Sequence, residues 1–202
     1  NMKKKYLESI FIPIFFAVLI AWFFRDALFK GQMFVERDLS RYYYPLRFFA
    51  INCIKLGVFP FWNPYLFCGN PLFASLQSCV LYPVSIIYYF GDFAKAFNVF
   101  IVAHFFLAGL FTYIFMRQMR YSAIAAFLSG AVFALSGYMT SVVNLLTTLS
   151  AVTWFPLAML FYYKMTRSIL LGDRLNQTTI FRNNLSPIWL GIIFTIMFLG
   201  GE

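Results

Sequence analysis

Two carboxylates, Glu36 and Asp38, stand two residues apart in a chain that holds only seven Asp and Glu. Arg37, Arg41 and Arg47 follow at close spacing. A carboxylate can accept the proton of an attacking hydroxyl. A guanidinium or a divalent metal can offset the charge of an anionic group. Proton acceptance and the binding of an anionic group are therefore chemistry this stretch can serve. A plain ion pair is the alternative, because Asp38 and Arg41 are spaced i,i+3 and would meet on one helix face. Further candidates for a site are Trp62, Asn63 and Tyr65, the lone His104, and Glu202.

The elements that hold these residues are apolar. Charged residues make up 11% of the chain and hydrophobic ones 62%. Soluble domains carry about 25% charged residues, so this chain cannot cover a water-facing surface and belongs in a bilayer. The expected fold is an all-α polytopic membrane protein. Five spans are predicted, at 9–28, 93–116, 122–143, 145–163 and 187–199, since lipid leaves only helices for such runs. The apolar run behind the basic start is too long for a cleaved leader and reads as a retained anchor. The chain stops at Gly200-Gly201-Glu202 just after an apolar run, which suggests a piece of a longer protein.

Lys3, Lys4 and Lys5, then Arg117 and Arg120, then Lys164, Arg167, Arg174 and Arg182 fall in alternate gaps between spans. The positive-inside rule puts all nine in the cytoplasm, with the amino terminus. The net charge of +9 is thereby explained by topology, and nucleic acid is not an expected partner. Residues 29–92, the turn near Asn144 and Glu202 then lie outside.

That first outer loop is long for a connector. Over Leu39–Leu56 the polar residues Ser40, Arg41, Arg47, Asn52 and Lys55 share an arc of about 140°, the pattern of an amphipathic helix lying in the interface plane. Pro45 is expected to bend its start and Gly57 to end it. A Pro- and aromatic-rich turn follows, and then a second candidate in-plane helix over residues 72–90.

The series Asp38-x3-Tyr42-Tyr43-Tyr44-Pro45, the block Gly57-Val58-Phe59-Pro60-Phe61-Trp62-Asn63-Pro64-Tyr65 with Gly69 and Pro71, the Tyr82-Pro83 pair, His104 in the second span and Trp154-Phe155-Pro156 in the fourth resemble bacterial YfhO-type membrane proteins. The resemblance covers residues 36–160. These proteins are similar in layout to the GT-C class of membrane glycosyltransferases. The resemblance implies transfer of a sugar from a polyprenyl-phosphate carrier to a cell-surface polymer or lipid, on the outer side of the bacterial cytoplasmic membrane. It implies that Asp38 is the base, with Glu36 beside it and Glu202 as a second carboxylate from a later outer loop. Arg37, Arg41 and Arg47 are the candidates for the phosphate, and Trp62, Asn63 and Tyr65 for the roof of the cavity.

His104 is read either as functional, being ionisable inside a span, or as a neutral imidazole bonded to a neighbouring helix. A single His cannot build a His-rich metal site, and Cys53, Cys68 and Cys79 show no metal-ligand spacing; whether a divalent metal takes part stays open. Phosphate-binding loops, nucleophile elbows, zinc-protease and dinucleotide motifs are absent. The competing function class is a non-enzymatic lipid or polymer transporter, for which broken helices would be the sign.

Overall fold

The computed structural model describes the backbone of residues 2–171 and 185–201, and within them the side chains of 11–168 and 185–201. Regular structure among these residues is helical, with one isolated antiparallel bridge between Asn63 and Asn70. The helices are α1 (Met2–Phe23), α2 (Arg25–Phe29), α3 (Tyr44–Lys55), α4 (Phe93–Gln118), α5 (Ala123–Ala134), α6 (Gly137–Ser141), α7 (Leu146–Leu171) and α8 (Ser186–Leu199).

Three stretches are long and apolar enough to cross a bilayer: Phe93–Gln118, Ala123–Asn144 and Leu146–Ser168. Phe11–Phe23 and Ser186–Leu199 are shorter apolar helices. The all-helical class is as expected. The second of the three long stretches is interrupted: α5 ends at Ala134, and Ser136 caps the short α6 by accepting a hydrogen bond from the Met139 N–H at 3.2 Å.

α4 is the central helix, packed against α1, α5 and α7. The seam with α5 is close because glycines face each other. A Cβ on Gly130 would lie 2.5 Å from the Gly109 carbonyl oxygen and 2.7 Å from the Phe16 ring. Small residues of this kind let helix backbones approach inside membranes. Phe16 of α1, fully buried, closes the seam and packs on Phe127 and Tyr113.

The long segment between α2 and α4 is anchored at both ends. Asp92 caps α4 by accepting from the Lys95 N–H at 3.1 Å. Asn98, buried one turn further in, donates to the carbonyls of Ala27 at 2.9 Å and Gln32 at 2.7 Å, and accepts from the Phe34 N–H at 3.4 Å. One amide thereby holds the strap that leads to Asp38.

The expected helix over Leu39–Leu56 is present, with a wide first turn. Residues Leu39–Tyr43 form a π-helical turn, in which the Tyr44 N–H reaches the Leu39 carbonyl five residues back. Pro45 sits in the first turn of α3, where a missing N–H costs nothing. Gly57, at φ +76°, ends the helix. Its N–H reaches Ile54 O, and the Val58 N–H reaches Cys53 O, a Schellman stop.

Two expectations about the loop need correction. The polar arc of Leu39–Leu56 does not all face outward, because Arg47 is fully buried while Phe48 is exposed. Nor is 72–90 an α-helix: it runs through turns into a 3-10 segment, Pro83–Tyr89. Leu76 and Cys79 take left-handed backbone angles, φ 56° and 53°, which break helical continuity, and Pro83 brings no N–H to a preceding helix.

The glycine seam yields a test. Gly130→Ala forces α4 and α5 apart and is expected to lower stability by about 1–3 kcal/mol. Gly137→Ala meets nothing within 4 Å and should leave stability unchanged or raise it by up to about 1 kcal/mol. Unfolding of the two variants in detergent micelles measures the contrast.

Candidate functional site

The segment between α2 and α4 builds a cleft that gathers some of the predicted residues. Arg41, Tyr42, Pro45, Leu46 and Phe49 line it from the π-turn and α3; Asn63, Tyr65 and Leu66 close it from the turn beyond, around a volume of about 220 Å³. One strip of the helix therefore faces one hairpin. The hairpin is fixed by reciprocal backbone hydrogen bonds between Asn63 and Asn70, at 2.8 and 2.9 Å. Gly69, at φ +118°, lies flat under the Trp62 ring, where a Cβ would come within 2.4 Å of ring carbon.

Asn63 is buried and its Oδ1 accepts from the Tyr65 N–H at 3.0 Å. That bond orients the amide and leaves its N–H groups for the cleft. Phe49 meets Tyr65 edge-to-face at 5.7 Å. Tyr42 is tied by its hydroxyl to Gln77 Oε1. The lining thus offers one cation, one amide and three aromatic walls, a mixture suited to a ligand with an anionic or hydroxylated head and an apolar body.

Glu36, Arg37 and Asp38 lie on the strap just before this helix, and all three are exposed. Arg37 takes a left-handed angle, φ 41°, an unfavourable conformation for a residue with a Cβ. Asp38 starts the π-turn without capping it by its side chain. Asp38 makes no ion pair among the described residues; the pairs there join Asp26 to Lys30 at 2.7 Å and to Arg25 at 3.9 Å. The i,i+3 pairing of Asp38 with Arg41 is accordingly not formed. Among the described residues no three His, Cys, Asp or Glu come together as a metal site; Glu36 and Asp38 supply two carboxylates.

Arg47 faces the other way, which corrects its expected place beside a phosphate. Its Nη1 donates to the Tyr88 hydroxyl and its Nη2 to Cys79 Sγ, both at 3.0 Å. The guanidinium lies over the rings of Phe100 at 4.7 Å and Tyr43 at 5.8 Å. Nε is buried with no partner among the described residues. Cys79 in turn donates to the Gly200 carbonyl at 3.3 Å. Burial pushes both the Cys79 thiol and the Tyr88 hydroxyl up, against the pull of Arg47. Both stay neutral at neutral pH, so the arginine, always charged in proteins, has no anion beside it among the described residues.

His104 is a satisfied core histidine. The Phe100 carbonyl, 2.7 Å from Nδ1, accepts its proton, so Nε2 accepts from the Tyr82 hydroxyl at 2.8 Å. Trp154 Nε1 donates to the same hydroxyl at 2.7 Å. The tautomer follows from the carbonyl, which can only accept. This is the neutral, bonded reading, with the partner coming from the turns before Pro83 and not from a helix. Glu202 lies outside the described residues.

Arg41, Asn63 and Tyr65 are thus brought together; Trp62 supports the hairpin; Arg47 and His104 are structural. Asn98, Cys79, Tyr82, Tyr88 and Gln77 hold the site and were not singled out as site residues. Asn98 carried a signal, as an amide amid apolar neighbours. Comparison with protein-family models, with curated proteins and with solved structures finds no match.

The His104 network makes a measurable claim. Tyr82→Phe strands the imidazole Nε2 and the Trp154 N–H, at about 1–3 kcal/mol for each buried unpaired group. Tyr89→Phe, at a half-buried neighbouring ring, is expected to change stability by less than about 0.5 kcal/mol. Denaturant unfolding in micelles compares the two.

Proposed function

We propose that this chain acts as a YfhO-type, GT-C-like membrane glycosyltransferase. It would move a sugar from a polyprenyl-phosphate carrier to a surface polymer or lipid outside the bacterial cytoplasmic membrane. The observation that carries the reading is the pairing of an exposed carboxylate, Asp38, with a cleft one turn later that presents Arg41, Asn63 and aromatic walls. Asp38 is not consumed by an ion pair among the described residues, which is what a base requires.

In this reading the acceptor hydroxyl oxygen bonds to the anomeric carbon as the bond from that carbon to the phosphate oxygen breaks. The hydroxyl proton passes to Asp38, and the electron pair leaves with the phosphate, whose charge Arg41 offsets. Tyr42, Phe49 and Tyr65 give the carrier or sugar apolar faces. Glu36 stands close enough in sequence to share the site. The proposed topology has five spans with the amino terminus in the cytoplasm, on the distribution of Lys and Arg.

A transporter is the second reading, and the break between α5 and α6 is the observation that favours it, since interrupted spans mark substrate paths in many transporters. That break lies away from the cleft residues in sequence and brings no charged side chain with it, so the transferase reading is preferred.

Asp38→Asn keeps the shape and removes the base. It should insert at wild-type levels and lose sugar transfer from the lipid carrier by about 10²–10⁴-fold. Arg41→Ala should also impair transfer, with unchanged insertion. A well-inserted Asp38→Asn chain with full transfer would end the assignment of the base. For topology, Glu36→Cys should react with a membrane-impermeant maleimide on intact spheroplasts; protection until lysis would reverse the orientation.

A further inference from the structure

The segment that leaves α3 carries a surface that neither the cleft chemistry nor the spans account for. Residues 56–91 contain no Asp, Glu, Lys or Arg. Near the start of this stretch Leu56, Val58, Phe61, Trp62, Tyr65 and Phe67 are each more than half exposed, Tyr65 and Phe67 at 84% and 82%. An apolar patch of this kind on an outer loop marks a contact surface.

The patch is built, not loose. The Schellman stop at Gly57 aims the chain away from α3. The rings of Phe59, Phe61 and Phe73 pack within 4.5–6.0 Å of one another. The Asn63–Asn70 bridge and the seating of Trp62 on Gly69 close the hairpin. Hydrophobic rings are therefore held outward by a rigid base, where water would be an expensive neighbour.

The chemistry of the patch says what covers it. Its polar groups are a phenol, an indole and amides, the set enriched at membrane interfaces, where a ring sits among acyl chains and its polar edge stays wet. Lys55, exposed at the root, has the long stem that reaches lipid phosphate. A protein-binding patch would carry a rim of charged and polar groups, and here Lys55 is the nearest charge in sequence. The chain then runs on through Leu81, Ile86 and Phe90, also more than half exposed, into α4, a helix of spanning length. The apolar surface is thus continuous along the chain with a segment that needs lipid.

We infer that residues 56–67 form an aromatic finger that enters the boundary between headgroups and acyl chains of the bilayer that holds α4. Its partner is phospholipid. Tyr65 belongs both to the finger and to the cleft, so the inserted finger sets the height of the cleft against the membrane surface. The inference does not depend on the transferase reading.

Cys68, exposed just past the end of the finger, supplies the probe position. The full chain with Cys53→Ser is labelled there with a nitroxide and placed in vesicles of phosphatidylethanolamine and phosphatidylglycerol; Cys79 is buried, and the label-to-protein ratio checks that it stays free. A second chain, with Cys53→Ser, Cys68→Ser and Phe67→Cys, repeats the measurement one residue away. Ser40→Cys in the same Cys53→Ser, Cys68→Ser background gives the water-facing comparison. At 67 and 68, dissolved oxygen should relax the label severalfold more than a water-soluble nickel chelate does, and position 40 should show the reverse. Ready access of the nickel chelate at 67 and 68 would overturn the finger. Exclusion of both agents would mean that protein covers the patch, and would equally overturn a lipid partner.

Discussion

A guanidinium buried with no carboxylate beside it among the described residues organises the segment between α2 and α4. Moving a charge out of water is expensive, and Arg47 meets that cost with polarisable groups: two neutral hydrogen bonds and two aromatic faces. Each tie belongs to a different piece of chain. Tyr88 comes from the 3-10 segment, Cys79 from the turns before it, Phe100 from α4, and the thiol reaches on to the last turn after α8. With Arg47 turned inward, the strip of Tyr42, Pro45, Leu46 and Phe49 faces the hairpin. The cleft exists because the charge is on the other side of the helix.

Uncharged polar groups do the remaining fastening. Tyr82 links the loop to both α4 and α7 through His104 and Trp154. Asn98 gathers the strap from residues 27–34 onto α4. In an apolar setting such bonds need no charge neutralisation and leave few orphaned groups, so a loop of unusual length can be held in one arrangement. The position of Asp38 is thereby decided by an asparagine sixty residues later in the chain.

Periodicity and apolar length made the helices legible. α4, α7 and the helix after Asp38 lie where hydrophobic runs and the polar arc placed them, and Gly57 ends α3 as a glycine past a helix should. Three things were not legible. The second loop helix failed because Leu76 and Cys79 adopt left-handed angles that no local pattern announces. The break at Leu135–Ser136 hides inside an apolar run, with only a serine cap to mark it. Arg47 sits among polar neighbours on the helical wheel, and its burial depends on Tyr88 and Phe100, more than forty residues away. Within the site, the Trp-Asn-Pro-Tyr block was legible as a turn that meets the helix of Arg41. The carboxylate's freedom from Arg41 was not, because i,i+3 spacing alone leaves either outcome open.

The distribution of charge between α2 and α4 also bears on how the protein is made. From Lys30 to Lys55 the loop carries seven charged residues, and after Lys55 the next is Asp92. Under the proposed topology the insertion machinery would move this hydrophilic load across in one early stretch. Behind it follows a length of chain with no ionic reason to leave the bilayer surface. Such a segment can stay at the interface while α4 is synthesised and docks onto it, so that Arg47 is enclosed by its rings only when the later helices arrive.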